Sequence, residues 1–493
     1  MATATKFDAD QKSIEKTASL GLGSSNASND EVDMSTIDKK ALLRRVDMHV
    51  LPMLVIVYIF AFLDRVNIGN ASVFGMSKDL GLEGNQYNVA LCVFFIPYIL
   101  AEIPSNLILK AVSPRIFLSA CIFAFGLITL CQGFIKKYEH LIVTRLLLGL
   151  FETGVFPGAF YILSMWYPRH ASQKRFTFFF LSTAIAGAFG GLLAYGLGHI
   201  HAAGYAPWRW IFIIEGAMTC VIGIISFFTL ADFPEEAKWL NDNERKYLQQ
   251  RINKDIGDAD RAEKLKFSDL TIVFTDYKFV LSALAYFGCV IPIYAFAYFC
   301  PTIIKGWGID ALMTQVRTIP IWAFAWIFSF ATAILSDRLR KRFVFIIVPT
   351  LVALVGFILL IALPDPEIAT ANVGVKYFAL FLCLAGMFAC SPIVVGWFTT
   401  NLRTHKQRSI GSAWQIAFGN CGGIVATFVF PAEDGPAYTV GYSVCIGVIV
   451  LILVTVSTMF VMMRAENQKF ERLEQEQNEE GRAVGEKGFR YLI

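Results

Sequence analysis

Apolar residues fall along the chain in long blocks rather than in alternation. Twelve stretches of about twenty mostly apolar residues recur in its 493 residues, at roughly 49–67, 87–109, 116–134, 141–165, 176–197, 210–231, 280–303, 318–335, 343–363, 377–398, 409–430 and 438–463. About 20 such residues in an α-helix cross the hydrocarbon core of a bilayer. Each stretch therefore predicts one spanning helix, numbered here span 1 to span 12. A polar stretch at 232–279 divides them into a half at 49–231 and a half at 280–463. The expected fold class is an all-α membrane protein of twelve transmembrane helices in two six-helix halves. Residues 1–48 are polar and rich in Ser and Asp and predict a disordered tail, and 464–493 form a second polar tail. Within the central stretch, PEEAKWLNDNERKYLQQRI at 234–252 predicts an amphipathic helix lying on the surface.

Composition agrees with a lipid solvent. Hydrophobic residues make up 56% of the chain and charged residues only 17%, against about 25% charged in soluble proteins. The net charge of +4 is too small for a nucleic-acid footprint. All ten cysteines lie in apolar runs without a C-x-x-C pair, which marks them as small hydrophobes. The six histidines sit at the ends of spans or between them, so no metal site is expected inside the membrane.

Lys and Arg set the orientation. With the amino-terminal tail in the cytoplasm, the inner segments hold 34 of the 43 basic residues and the outer loops hold 7. That bias predicts cytoplasmic tails and a cytoplasmic central stretch. The two basic residues left over, Arg65 and Arg145, lie inside spans. Asn70-Ala71-Ser72 fits a glycosylation pattern at the outer end of span 1, while Asn26-Ala27-Ser28 falls on the cytoplasmic side.

A charge in the middle of a bilayer costs at least ~2.5–3.5 kcal/mol unless it is paired or faces water. Six such residues stand in the first half: Asp64, Arg65, Glu102, Arg145, Glu152 and Glu215. The second half has none away from its span ends and offers Tyr294, Tyr298, Ser391, Gln415 and Asn420 instead. Arg145 and Glu152 share one face of span 4, about 10.5 Å apart in rise, too far for a close pair. Each must find a partner on another helix. Asp64 and Arg65 are consecutive, hence about 100° apart around span 1. One can face a cavity while the other faces a neighbouring helix. A static network holding spans 1 and 4 together and a working site both fit this pattern. Glycines cluster in span 5 (Gly187, Gly190, Gly191) and span 11 (Gly419, Gly422, Gly423), where they let helix backbones approach closely. Pro97, Pro104, Pro157, Pro292 and Pro392 offer bends.

Ser336-Asp337-Arg338-Leu339-Arg340-Lys341-Arg342, between spans 8 and 9, resembles the loop signature of the major facilitator superfamily, with Ala333 at its leading Gly. There Asp337, Arg338 and Arg342 would form a cytoplasmic charge clamp. The corresponding loop of the first half departs from the signature, with Lys110 at the Asp position. YIFAFLDRVNIGNA in span 1, FIPYILAEIPSN in span 2 and TRLLLGLFETGVFPG in span 4 resemble the anion:cation symporter family. SMWYPRH at 164–170 and PWRWIFIIEG at 207–216 are similar to its fungal allantoate and nicotinate permease branch. The resemblance implies that Arg65 binds the substrate anion and that Asp64 and Glu152 take up protons. It places Tyr98 and Asn420 at substrate contacts and Arg145 at the family's second arginine, in a charge network with Glu102 and Glu215. A tyrosine usual three residues before the arginine is replaced by Phe62.

These features predict a secondary active transporter that moves a small organic carboxylate with a proton by alternating access. Nicotinate, allantoate and pantothenate are all open as substrates. Export of an anionic metabolite and nutrient sensing by a transporter-shaped protein are the alternatives. No enzyme is expected, because no nucleophile–base or metal spacing occurs within the spans. The expected partners are the bilayer and the anion, with no cofactor beyond the coupling proton. A monomer in the plasma membrane, with both tails cytoplasmic, is expected.

Overall fold

The computed structural model describes residues 38–167, 169–200, 202, 204–230, 234, 237, 239–256, 271–363, 372–402, 405–479 and 491–492. Among these, all regular structure is helical. Ten helices are long and apolar enough to cross a membrane. The two remaining spans fall short for local reasons. Span 2 is divided into Gln86–Leu100 and Glu102–Ala111. Span 11, His405–Ala426, opens on the polar run HKQRS and carries Gln415 and Asn420.

Proline chemistry accounts for the breaks. In span 2, Pro104 has no N–H to give the Leu100 carbonyl, and the helix turns at Ala101. In span 4, Pro157 likewise leaves the Thr153 carbonyl free, and the helix divides into Tyr138–Glu152 and Val155–Trp166. The Thr153 hydroxyl closes the gap between the two breaks by donating to the Tyr98 carbonyl at 2.6 Å.

Three boundaries differ from those expected. Span 1 starts at Lys39, not near 49, because the Asp38 side chain caps the Lys40 and Ala41 N–H groups and Leu42 and Val46 are buried. The linker helix is Asp242–Ile256 rather than 234–252. At its start the Asn241 N–H donates to the Glu244 carboxylate at 3.0 Å, one arm of a capping box. Trp239 is held outside it, stacked between His49 and Trp166 at 4.2 and 5.5 Å. Span 12, Thr439–Glu479, runs on into the expected tail. Residues 1–37, including Asn26, lie outside the described residues.

The start of span 1, the linker and the end of span 12 lie on one side of the bundle, called here the linker face. Arg45 pairs with Glu244 at 3.1 Å, and the Tyr277 hydroxyl donates to Glu466 at 2.8 Å. On the opposite, far face, Arg209 donates to Asp79 at 3.0 Å and to the Ile135 carbonyl at 2.6 Å. It thereby ties together three loops of the first half. Asn70 is buried against Asn67 near this face, which closes it to a glycan.

The two halves meet through glycine. Gly69 has no room for a Cβ against the Tyr298 carbonyl, nor Gly187 against the Trp322 ring. Gly191 lies against Thr318, and Asn88 donates to the Thr427 carbonyl at 2.6 Å. All these contacts lie from mid-span toward the far face, so the bundle is sealed there. The outer surface is greasy, with Phe228 75% and Ile327 58% exposed, as a lipid-facing surface requires.

Candidate functional site

A cavity of about 540 Å³, counting space open to solvent, lies between the halves at mid-span. Span 1 contributes Tyr58, Phe62 and Arg65, and span 7 contributes Tyr286, Val290 and Tyr294. Both sets repeat every three or four residues, so each is one stripe of its helix. Phe156, Phe180 and Ile416 extend the lining toward the linker face.

Arg65 is the one charged side chain among the described lining residues. It is 6% exposed and fully engaged. Its Nε donates to Glu152 Oε1 at 2.9 Å, its Nη2 donates to the same oxygen, and its Nη1 donates to the Tyr294 hydroxyl. Phe94 and Tyr98 present their rings to the guanidinium at 4.9 Å each. Phe94 comes this close because Gly149, one turn before Glu152, lets span 4 lie on the Phe94 carbonyl. Glu152 Oε2 has no hydrogen-bond partner. Arg65 therefore joins an acid of its own half to a phenol of the other.

Asp64 points away from the cavity. It faces the hydroxyls of Thr219 and Thr129 on spans 6 and 3, with Glu215 beside it. The carboxylate oxygens of Asp64 and Glu215, and both threonine hydroxyls, are buried outside hydrogen-bonding geometry. Arg145 is 1% exposed and donates to the Arg65 carbonyl at 3.4 Å, while its Nε and Nη2 are without partners. The 100° offset between Asp64 and Arg65 thus separates two environments, an open cavity in front of span 1 and a closed polar core behind it.

Tyr98 and Asn420 both line the cavity. Glu102, at the hinge of span 2, faces Asn420 across the boundary between the halves. Asp337 pairs with Arg342 at 2.5 Å, and Arg342 also donates to the Ser336 hydroxyl at 3.1 Å. Arg338 is exposed on the linker face. The loop signature thus closes on itself at the turn where Arg340 takes a left-handed conformation. Among the described residues, no group of three or more His, Cys, Asp or Glu side chains could hold a metal ion. Sequence reasoning did not single out Tyr58, Phe94 or Tyr286. The spacing of Tyr58 from Arg65 and of Tyr286 from Tyr294 was the available signal.

Solved structures of similar shape are transporters. A bacterial homologue of the human lysosomal transporter Spinster superposes with a TM-score of 0.65 at 15% identity, over 84% of this chain and 96% of that one. The Escherichia coli xylose transporter XylE gives a TM-score of 0.60 over 81% and 96%. At such identities the likeness is one of fold. Closer in sequence are the MFS-type transporter cnsO of Penicillium expansum, 34% identical over 88% of this chain and 85% of that protein, and the high-affinity nicotinic acid transporter of Saccharomyces cerevisiae, 32% identical over 87% and 79%. The sequence profile of the Major Facilitator Superfamily matches residues 54–427. The twelve spans in two halves, the glycine-packed seam and the mid-span cavity are those of a transporter, and the chain belongs to the Major Facilitator Superfamily.

Proposed function

We propose that the protein is a proton-coupled symporter of a small organic carboxylate. The observation that carries this reading is Arg65, a cavity-facing guanidinium paired behind the cavity wall with Glu152. A carboxylate entering the cavity offers Arg65 two parallel hydrogen bonds. It then replaces Glu152 as counter-ion. Released from the guanidinium, Glu152 is a buried acid without its paired cation, and burial favours the neutral form of a carboxyl group. Anion binding and proton binding thereby help one another, which is the thermodynamic requirement for coupled transport. Asp64, behind the same helix turn, is the second acid of this scheme. Tyr98, Tyr294 and Asn420 shape the rest of the site for a small flat anion. The relative named as a nicotinic acid transporter makes nicotinate the first candidate.

In this reading the linker face is cytoplasmic, as the basic-residue bias requires, and the protein works as a monomer in the plasma membrane without a further cofactor. An epitope at 464–493 reachable from outside intact cells would overturn the orientation. Uptake of labelled nicotinate and other small carboxylates into vesicles under an imposed pH gradient tests the coupling. We expect accumulation driven by the gradient and abolished by a protonophore. Glu152→Gln should retain counterflow exchange while losing gradient-driven accumulation by at least about tenfold. Wild-type accumulation in that variant would reduce Glu152 to a structural role.

A further inference from the structure

On the linker face of the second half, two buried asparagines grip a stretch of main chain. Asn467, on span 12, donates to the Tyr491 carbonyl at 2.9 Å and accepts from the Tyr491 N–H at 2.9 Å. Asn401, just after span 10 (Val373–Thr400), donates to the Leu492 carbonyl at 3.0 Å and accepts from the Leu492 N–H at 2.7 Å. Trp397 on span 10 adds a third bond from its Nε1 to the Leu492 carbonyl at 2.6 Å. A primary amide carries one acceptor and two donors, so it can pair with both polar groups of a single residue's backbone. Each asparagine here does so.

Two features mark this as a receptor rather than a chance contact. Trp397, Asn401 and Asn467 are 0%, 2% and 8% exposed. Their polar atoms are matched by the Tyr491–Leu492 backbone, and Asn401 also meets the Met463 sulfur at 3.6 Å. The Tyr491 ring is also received, packing on Phe470 at 6.2 Å with the Lys278 ammonium 5.1 Å from its centroid.

The position of the receptor gives it a consequence. Phe388 and Ser391 on span 10 line the cavity, and Pro392 follows at once. Pro392 cannot donate to the Phe388 carbonyl, so span 10 is free to bend there. The segment beyond that bend ends in Trp397 and Asn401, the residues that hold Leu492. We propose that Tyr491–Leu492 is an intramolecular latch that fastens the segment of span 10 beyond Pro392 to span 12, and so restrains the cavity wall that continues from it. The ligand of this site is the main chain of two consecutive residues, with an aromatic residue at the first position. The latch does not depend on which substrate the cavity takes.

Hydrogen–deuterium exchange on the purified full chain tests it, with no transport substrate needed. Leu492→Pro removes the N–H that Asn401 accepts, whereas Leu492→Ala keeps it. We expect the peptide covering 393–402 to exchange at least about fivefold faster in Leu492→Pro and in Asn467→Ala, at unchanged melting temperature. Leu492→Ala should match the wild type. Wild-type exchange in both Leu492→Pro and Asn467→Ala would overturn the latch. So would equal acceleration in Leu492→Ala and Leu492→Pro, since side-chain packing rather than backbone recognition would then hold the segment.

Discussion

The two halves share a helical plan but divide the chemistry between them. The first half holds all six charges placed within spans, and five of these, Asp64, Arg65, Arg145, Glu152 and Glu215, are buried. The second half faces the same cavity with phenols, a hydroxyl and an amide, from Tyr286, Tyr294, Ser391 and Asn420. Among the described residues, the desolvation cost of mid-span ions falls on the first half. It recovers part of that cost through the Arg65–Glu152 pair and leaves other groups, such as Asp64 and Arg145, incompletely matched. Unmatched buried charge is a poor way to stabilise a fold. It is a good way to make an energy balance that an incoming anion or proton can tip. Under the proposed function, the second half, with no charged group lining the cavity, contributes shape recognition.

The sharpest way to break this division is to change the shared cation. Arg65→Lys keeps the charge but cannot reach Glu152 Oε1 through two nitrogens while also donating to Tyr294. A carboxylate then loses the second of two charge-assisted hydrogen bonds, a contribution of about 1.5–3 kcal/mol. We therefore expect binding of the proposed carboxylate substrate to fall by about 10- to 100-fold in a thermal-shift or isotope-binding assay on purified protein. Undiminished affinity would place the anchor elsewhere.

A smaller change probes the contribution of the second half. Tyr294→Phe deletes the hydroxyl that accepts from Arg65 and leaves the ring. Hydrogen bonds to charged groups contribute about 1.5–3 kcal/mol, so affinity should fall about tenfold or somewhat more, with proton coupling intact. Loss of coupling with affinity preserved would show that the phenol belongs with the charge machinery, and the division between halves would fail.

The smallest effect is expected behind span 1. Glu215 is not among the cavity-lining residues, and its carboxylate oxygens have no hydrogen-bond partner among the described residues. Glu215→Gln should leave substrate affinity within about threefold, because it removes no contact to the anion. A tenfold loss would join the closed polar core to the binding site. That would merge the two environments which Asp64 and Arg65 now separate.

Much of this architecture is legible without coordinates. Lipid acts on each residue in turn, so twenty apolar residues declare a span wherever they occur, and a charge inside such a run declares itself as an exception. That is why the twelve spans, the two halves and the six intramembrane charges can be read from the chain. Ala101 and Thr153-Gly154 are less visible. The prolines announce a bend, but where the helix breaks depends on which helix packs against it, as the Thr153–Tyr98 contact shows.

What the sequence determined by itself was therefore the solvent, the number of crossings and the cost that the first half carries. Helix geometry added that Asp64 and Arg65 must look in different directions, but not which of them meets the cavity. Tertiary structure decided that, by setting the threonines of spans 3 and 6 behind Asp64 and Glu152, Tyr98 and Tyr294 in front of Arg65. It also decided that Tyr491–Leu492 lies between spans 10 and 12, where no motif points. The physical reason is range. Burial in lipid is a local property of a residue and its near neighbours in sequence. A pair such as Arg65–Glu152, 87 residues apart, or Asn401–Leu492, 91 apart, exists only once helices have packed and each polar group has found the partner within reach.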